Sequence, residues 1–210
     1  MKKAIFFDLD GTLWDALAPI TYSWNEAMIK NNKHYRFDDT SIRSIMGLTP
    51  EETALLVFND VPLKEGLELF KICVKAELEY LAIHPGKLYP LEKETLEELS
   101  KSYPLYIISN CDKGYIENFL NSLNMTKYFK GHICVGDNGF AKWQNIVYLK
   151  DINKFDDVIY IGDTLKDKTE STKANVKFIH ANYGFGHIDN DQYFVNKISD
   201  LPPLINKLFD

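Results

Sequence analysis

Short apolar runs that end abruptly at polar residues recur along this chain. The clearest runs cover residues 4–7, 105–108, 133–135 and 158–161, and the polar residues that follow them include Asp8, Ser109, Asp137 and Asp163. Short runs rich in Ile, Val, Phe and Tyr predict strands that are buried on both faces of a sheet. The polar residues therefore mark the carboxyl ends of predicted strands.

Segments with a helical spacing of apolar residues lie between these runs, at 91–100, 115–123 and 146–152. Strands that alternate with helices indicate βαβ units and a parallel sheet. We therefore predict an α/β fold with a doubly wound, Rossmann-like parallel sheet. In such sheets ligands bind outside the carboxyl ends of the strands, where the polar residues lie.

One long segment, residues 15–84, breaks this alternation because it contains helical patterns and no strand-like run. Thr49 followed by Pro50 is typical of a capped helix start. The segment predicts an all-helical subdomain inserted into a core made of residues 1–14 and 85–210. The alternative is a plain helical excursion of the chain that packs directly on the sheet.

The composition excludes several classes of protein. The chain has 210 residues, 45% of them hydrophobic, and a net charge of -6. The acidic balance argues against a nucleic-acid partner, and no run approaches the roughly 18 apolar residues of a membrane helix. The three cysteines are irregularly spaced and indicate neither disulfides nor a zinc site, so we expect a soluble protein of the reducing cytoplasm.

Two acids stand at the end of the first predicted strand. The side chains of Asp8 and Asp10 can point to the same side, and Gly11 allows the chain to turn sharply after them. Carboxylates this close repel each other unless a cation or a shared proton intervenes. A solvated strand end is the plainer interpretation of such a pair in isolation. The preceding apolar run, however, delivers this pair to the ligand edge of the sheet.

Asp163 and Asp167 repeat this arrangement at the end of the strand predicted at 158–161. Asp163 could instead be a helix N-cap, with Asp167 an ordinary acid of the first turn. Together with Asp8 and Asp10, these acids offer the oxygen ligands that Mg²⁺ prefers. A magnesium site at this edge of the sheet is therefore expected.

Ser109 and Asn110 end the strand predicted at 105–108, just before a helix expected from about Asp112. A hydroxyl followed by the backbone amides of a helix start can hold a phosphate group, although either residue could simply cap the helix.

Two further segments resemble ligand-binding motifs but are interpreted as structural. Asp137 is followed by Asn138-Gly139, which predicts a turn, so we expect it in a loop. The glycine-rich residues 183–187 follow the run at 176–179, which we expect to be the last strand, and they open no phosphate-binding helix.

Taken together, four motifs resemble those of the haloacid dehalogenase superfamily. They are Asp8-Leu9-Asp10-Gly11-Thr12-Leu13, Ser109-Asn110, a later lysine, and Gly162-Asp163 followed by Asp167. The resemblance covers nearly the whole chain and is closest to phosphoglycolate phosphatase-like hydrolases. It implies that the helical insert is a cap, in which Trp14, Tyr22, Trp24 and Arg43 are candidates to line the substrate cleft.

The resemblance also implies roles for the site residues. Asp8 would be the nucleophile, and Asp10 would act first as general acid and then as general base. Ser109 and Asn110 would hold the phosphoryl oxygens, and Lys142 would stabilise the transferring group.

The same resemblance implies the ligands of the metal. Asp163 would bind Mg²⁺ together with Asp8 and the backbone carbonyl of Asp10. Asp167 would support this site directly or through water.

These implications predict a Mg²⁺-dependent phosphatase that acts on a small phosphorylated metabolite, as a monomer or weak dimer. A phosphomutase that uses the same nucleophile is the main alternative, and a non-catalytic regulator that binds phosphometabolites is a more distant one. Lys113 competes with Lys142 for the role of the catalytic lysine. The chain departs from the family pattern at Leu91, where glycine is common, and at Glu170, where a small residue is common.

Overall fold

The computed structural model describes residues 1–210 of the protein. Its strands are β1 (Lys3–Phe7), β2 (Trp14–Asp15), β3 (Lys87–Leu88), β4 (Leu105–Ser109), β5 (Phe129–Cys134), β6 (Asp157–Gly162), β7 (Lys177–Ala181) and β8 (Phe194–Val195). Its helices are α1 (Leu17–Lys30), α2 (Asp39–Ile45), α3 (Pro50–Val57), α4 (Leu63–Leu81), α5 (Glu92–Ser102), α6 (Tyr115–Ser122), α7 (Val135–Asn138), α8 (Lys142–Asn153), α9 (Leu165–Lys173) and α10 (Leu201–Phe209).

Six strands form one parallel sheet in the order β5-β4-β1-β6-β7-β8. The chain leaves the central strand β1, adds β4 and β5 on one side, and later adds β6, β7 and β8 on the other. The strand order thus reverses beside β1, and ligands bind at such a switch point. The predicted α/β fold with a doubly wound parallel sheet is confirmed.

The apolar side chains of β1 serve both faces of the sheet, as the period of two along a strand requires. Ile5 and Phe7 pack into a large apolar cluster that continues into the helices of residues 17–81 and includes Trp24. Ala4 and Phe6 pack on the opposite face. The sheet and the long helical segment therefore share one continuous apolar core.

The helical segment holds α1 to α4, and its local sequence explains where the helices begin. The side chain of Asp38 accepts a hydrogen bond from the backbone amide of Ser41 and caps α2. Thr49 caps α3 in the same way through Glu52, with Pro50 at the first helical position, as predicted.

The prediction that residues 15–84 contain no strand is wrong at one end. Strand β2, which includes Asp15, pairs in antiparallel fashion with β3. The two-residue strands carry too few apolar positions to produce a recognisable pattern. Because β2 pairs with β3, the point where the chain enters the helical segment lies next to the point where it leaves.

Three further details differ from the sequence-based expectation. The last strand is β8 rather than the run at 176–179. The sequence pattern missed β8 because this strand is only two residues long. Helix α6 begins at Tyr115, three residues later than expected, after Gly114 in a left-handed conformation. Asp137 lies in the one-turn helix α7 rather than in a loop, and its carboxylate accepts a hydrogen bond from the backbone amide of Cys134.

Replacement of Leu91 by glycine is expected to stabilise the protein. Leu91 has a φ of 63° before α5, a left-handed conformation that disfavours a side chain, and its side chain is 58% exposed. Leu91→Gly should raise the free energy of unfolding by about 0.5–1 kcal/mol, measured by denaturant titration. The equally exposed Leu55, inside α3, is the matched control. Leu55→Gly should lower the same quantity by about 1 kcal/mol, and equal effects at the two positions would contradict the strain at Leu91.

Candidate active site

A cavity lies between the carboxyl ends of β1 and β4 and the helices of residues 17–81. Asp8 and Asp10 follow β1, Ser109 and Asn110 lie at the end of β4, and all four side chains line this cavity. They meet there because parallel strands end at the same edge of the sheet. The structure thus brings together residues that are about 100 positions apart in the sequence.

The carboxylates of Asp8, Asp163 and Asp167 converge beside this cavity. One oxygen from each lies within 4.8 Å of the others, and all three residues are buried. Oδ1 of Asp163 is buried without any hydrogen-bond partner. An unpaired buried carboxylate oxygen within a group of acids suits a hard divalent cation, so the residues present fit Mg²⁺.

The position of Asp163 depends on the loop of residues 183–187, for which the sequence predicted a structural role and no phosphate-binding helix. Oδ2 of Asp163 accepts hydrogen bonds from the backbone amides of Phe185, at 2.7 Å, and Gly186, at 3.2 Å. A side chain in place of Gly11 or Gly184 would collide with Asp163. Residues 183–187 therefore hold a candidate metal ligand rather than a phosphate group.

Burial and Asp167 raise the pKa of Asp163 to about 7, against the effect of the two loop amides. A bound cation would favour the charged form of this carboxylate.

Lys142, at the first position of α8, contacts two of the three clustered carboxylates. Its Nζ donates to Oδ1 of Asp8 at 2.8 Å and to Oδ1 of Asp167 at 2.6 Å, and the residue is 3% exposed. Burial lowers the pKa of Lys142, but Asp167 and Asp8 outweigh burial and raise it well above its ordinary value. Lys142 is therefore a fixed positive charge that contacts Asp8.

The start of α8 is held in place by α9. Oε2 of Glu170 accepts a hydrogen bond from the backbone amide of Trp143 at 3.1 Å, and its Oε1 pairs with Lys173. Glu170, a departure from the family pattern, thus anchors the helix turn that carries Lys142. Asp167 is held by Thr164, which caps α9, so the alternative in which Asp163 caps this helix is wrong.

Burial and then the neighbouring Asp167 raise the pKa of Asp8 well above its usual range, whereas Lys142 acts in the opposite direction. A single ammonium does not offset three carboxylates, which is a second reason for a cation at this site.

Asp10 has a separate environment. The hydroxyl of Tyr115 and the indole nitrogen of Trp14 both donate to its Oδ1, at 2.7 Å and 2.9 Å. Burial raises the pKa of Asp10 to about 6, against these two hydrogen bonds. Its other oxygen, Oδ2, accepts no hydrogen bond from the protein. The sequence pattern gave no signal for Tyr115, which lies 105 residues from Asp10.

Of the two strand-end residues after Ile108, Ser109 is buried at the cavity wall. The side-chain amide of Asn110 donates to the backbone oxygen of Gly47 at 2.8 Å. Asn110 therefore connects the edge of the sheet to the turn between α2 and α3.

Lys113, Lys150 and Lys166 make no ion pair with Asp8, Asp163 or Asp167. Lys113 is exposed, and Lys150 lies in the last turn of α8. Lys166 pairs with Glu52 of α3 at 2.8 Å, which is a second connection between the core and the helical segment.

The cleft candidates separate into different environments. Trp24 lines the cavity, whereas Trp14 is buried beside Asp10. Tyr22 is exposed and its ring packs against that of Tyr80 at a tilt, and Arg43 lies over the ring of Phe185.

Comparison with known proteins identifies the family of the chain and agrees with its fold. Residues 5–181 match the haloacid dehalogenase-like hydrolase family, so the chain belongs to that family, as its motifs predicted. The chain is 27% identical to a phosphoglycolate phosphatase of Aquifex aeolicus, over 97% of both chains. It is 24% identical to an N-acetylmuramic acid 6-phosphate phosphatase of Pseudomonas putida, over 99% of this chain and 96% of the relative. The prediction of a phosphoglycolate phosphatase-like hydrolase is thus confirmed at the level of the family.

A solved haloacid dehalogenase-like protein of Streptococcus pneumoniae has the same fold, with a TM-score of 0.80 and 24% identity over 100% of this chain and 99% of that one. Separately, none of the helices combines the length and the apolar character that crossing a membrane requires.

Proposed function

We propose that this protein is a Mg²⁺-dependent phosphatase that hydrolyses small phosphate monoesters through a phospho-aspartate at Asp8. The proposal rests on the surroundings of Asp8. It faces the cavity, contacts a buried lysine, and lies beside two further carboxylates that suit a metal.

The first half of the reaction follows from the two oxygens of Asp8. Lys142 holds Oδ1, and Oδ2 accepts no hydrogen bond from the protein, so Oδ2 is the oxygen that attacks phosphorus. A bond forms between Oδ2 and phosphorus as the bond between phosphorus and the ester oxygen breaks. Asp10 donates its proton to the departing alcohol oxygen.

In the second half, Asp10 removes a proton from water, and the water oxygen attacks phosphorus. The bond from phosphorus to Asp8 breaks, which releases inorganic phosphate and restores both carboxyl groups. Tyr115 and Trp14 keep Asp10 in one orientation for both proton transfers because both donate to its Oδ1.

The remaining residues bind charge. Ser109 and Asn110 would hold the phosphoryl oxygens at the end of β4, and Lys142 would stabilise the negative charge of the transferring group. Asp8, Asp163 and Asp167, with the backbone carbonyl of Asp10, would hold Mg²⁺. When bound, this ion neutralises charge between Asp8 and the phosphate dianion and orients the two.

The helices of residues 15–84 act in this proposal as a cap on a core of residues 1–14 and 85–210. Support comes from the cavity, whose walls come partly from the core and partly from Ile20, Ile45 and Phe70 of the helical segment. The core would carry out the chemistry, and the cap would select the alcohol part of the substrate.

Metal removal tests the proposal. EDTA should abolish the hydrolysis of p-nitrophenyl phosphate, and an excess of Mg²⁺ should restore it. Asp163→Asn should raise the Mg²⁺ concentration needed for half-maximal rate by about tenfold or more, because a ligand carboxylate is lost. Asp137→Asn is the matched control, since Asp137 also follows a glycine after a strand but lies outside the acidic group. Full activity in EDTA contradicts the metal role.

A further inference from the structure

The end of the cavity that lies away from Asp8 would receive the alcohol part of a phosphate monoester. This end is formed by the segment that holds α1 to α4, and its apolar lining residues include Ile20, Trp24, Ile45, Leu48, Phe70 and Val74. No lysine, arginine or histidine is among the 18 residues that line the cavity. A substrate with an acidic alcohol part would therefore find no cation at this end to receive it.

The charged groups at this end are acids. Glu77 of α4 and Asp112, just before α6, both line the cavity. Glu77 is 8% exposed. The indole nitrogen of Trp24 donates to its Oε2 at 2.6 Å, whereas Oε1 has no hydrogen-bond partner in the protein. A carboxylate oxygen that accepts no hydrogen bond from the protein at a cavity wall is open to a donor from a ligand.

The surroundings of Glu77 disfavour the negative charge of its own carboxylate. Burial raises the pKa of Glu77 to about 8 against the hydrogen bond from Trp24, and Asp10 and Asp112 raise it further. A cation placed among these carboxylates reverses that effect, whereas another carboxylate adds to it. Trp24 and Phe70, whose rings lie 5.9 Å apart in edge-to-face contact, also line the cavity, and aromatic rings attract a cation through their faces.

We propose that the cavity selects phosphate monoesters of small amino alcohols, whose ammonium group binds Glu77, and rejects monoesters whose alcohol carries a carboxylate. The proposal rests on the proposed phosphatase function and adds a substrate class to it. It sets this chain apart from the phosphoglycolate phosphatases to which it is similar, because the alcohol part of phosphoglycolate is an acid.

Four monoesters of similar length test the proposal on the wild-type protein with Mg²⁺. They end in an ammonium group (phosphoethanolamine), a hydroxyl (2-hydroxyethyl phosphate), a methyl (propyl phosphate) and a carboxylate (phosphoglycolate). The ammonium compound should have the highest kcat/KM, about tenfold or more above the hydroxyl compound, and the carboxylate compound the lowest. A highest kcat/KM for any other member of the series overturns the proposal.

A substitution then assigns the selectivity to Glu77. Glu77→Gln keeps the size of the side chain and an oxygen for Trp24 but removes the charge. The ratio of kcat/KM for phosphoethanolamine to that for 2-hydroxyethyl phosphate should fall about tenfold or more in this variant. Because the readout is a ratio within one variant, a general loss of activity or stability does not affect it.

Glu79→Gln is the matched control, since Glu79 is an exposed acid two residues along the same helix and does not line this cavity. It should leave the ratio unchanged. An unchanged ratio in Glu77→Gln overturns the proposal. Hydrolysis of p-nitrophenyl phosphate separates this failure from failure of the phosphatase function. A protein that hydrolyses this compound but prefers phosphoglycolate is a phosphatase with a different substrate class, and one that hydrolyses none of these esters is not a phosphatase of the proposed kind.

Discussion

Asp8→Asn is expected to eliminate phosphatase turnover while the fold persists. An amide in place of the carboxylate cannot form the phospho-aspartate, so both halves of the proposed reaction are lost. We expect kcat for p-nitrophenyl phosphate to fall by about four orders of magnitude or more, as when an enzyme loses its nucleophile. Circular dichroism and thermal unfolding should show a folded protein, because asparagine has the size of aspartate.

Asp10→Asn provides the comparison for this result. It leaves the nucleophile in place, so it should slow turnover less than Asp8→Asn does with p-nitrophenyl phosphate. Because p-nitrophenolate can leave without receiving a proton, the first half of the reaction does not need the acid form of Asp10 and continues in Asp10→Asn. Retention of most activity in Asp8→Asn would contradict the covalent mechanism.

Lys142→Met is expected to have the second largest effect. Methionine fills a similar volume but removes the one ammonium that contacts both Asp8 and Asp167. Without it, the charge of the transferring phosphoryl group loses a fixed partner, and kcat should fall by about 10²–10³-fold. The measurement is steady-state hydrolysis of p-nitrophenyl phosphate at saturating Mg²⁺, with thermal unfolding to verify the fold.

Two other lysines serve as controls for this substitution. Lys113→Met and Lys150→Met change the same functional group at positions away from the acids, and both should stay near the wild-type rate. Near-normal turnover in Lys142→Met together with a collapse in Lys113→Met would transfer the role to Lys113.

Much of the sheet edge could be predicted from the sequence because it depends on a local pattern. Buried parallel strands produce short apolar runs, and the residue after each run must lie at the carboxyl edge. Asp8, Ser109 and Asp163 were located in this way. The strands β2, β3 and β8 were not predicted, because two residues are too few to produce a recognisable apolar pattern.

The contacts that orient these side chains could not be predicted, because they join distant parts of the chain. The amides of Phe185 and Gly186 reach Asp163 from 22 and 23 residues away, and only the closure of that loop reveals them. Glu77 and Trp24 are 53 residues apart on two helices that meet through their apolar faces. Helical spacing indicated those faces, but not which polar residues meet across them.

Chemical trapping of the phosphorylated residue tests the central claim most directly. Asp10→Asn should accumulate the intermediate with p-nitrophenyl phosphate and Mg²⁺, because its second half-reaction lacks a base. After an acid quench, borohydride reduces an aspartyl phosphate to homoserine, which peptide mass spectrometry locates in the sequence. The mechanism predicts homoserine at position 8 and none in Asp8→Asn. Homoserine at another position, or an unmodified Asp8 under conditions of continuing turnover, would contradict it.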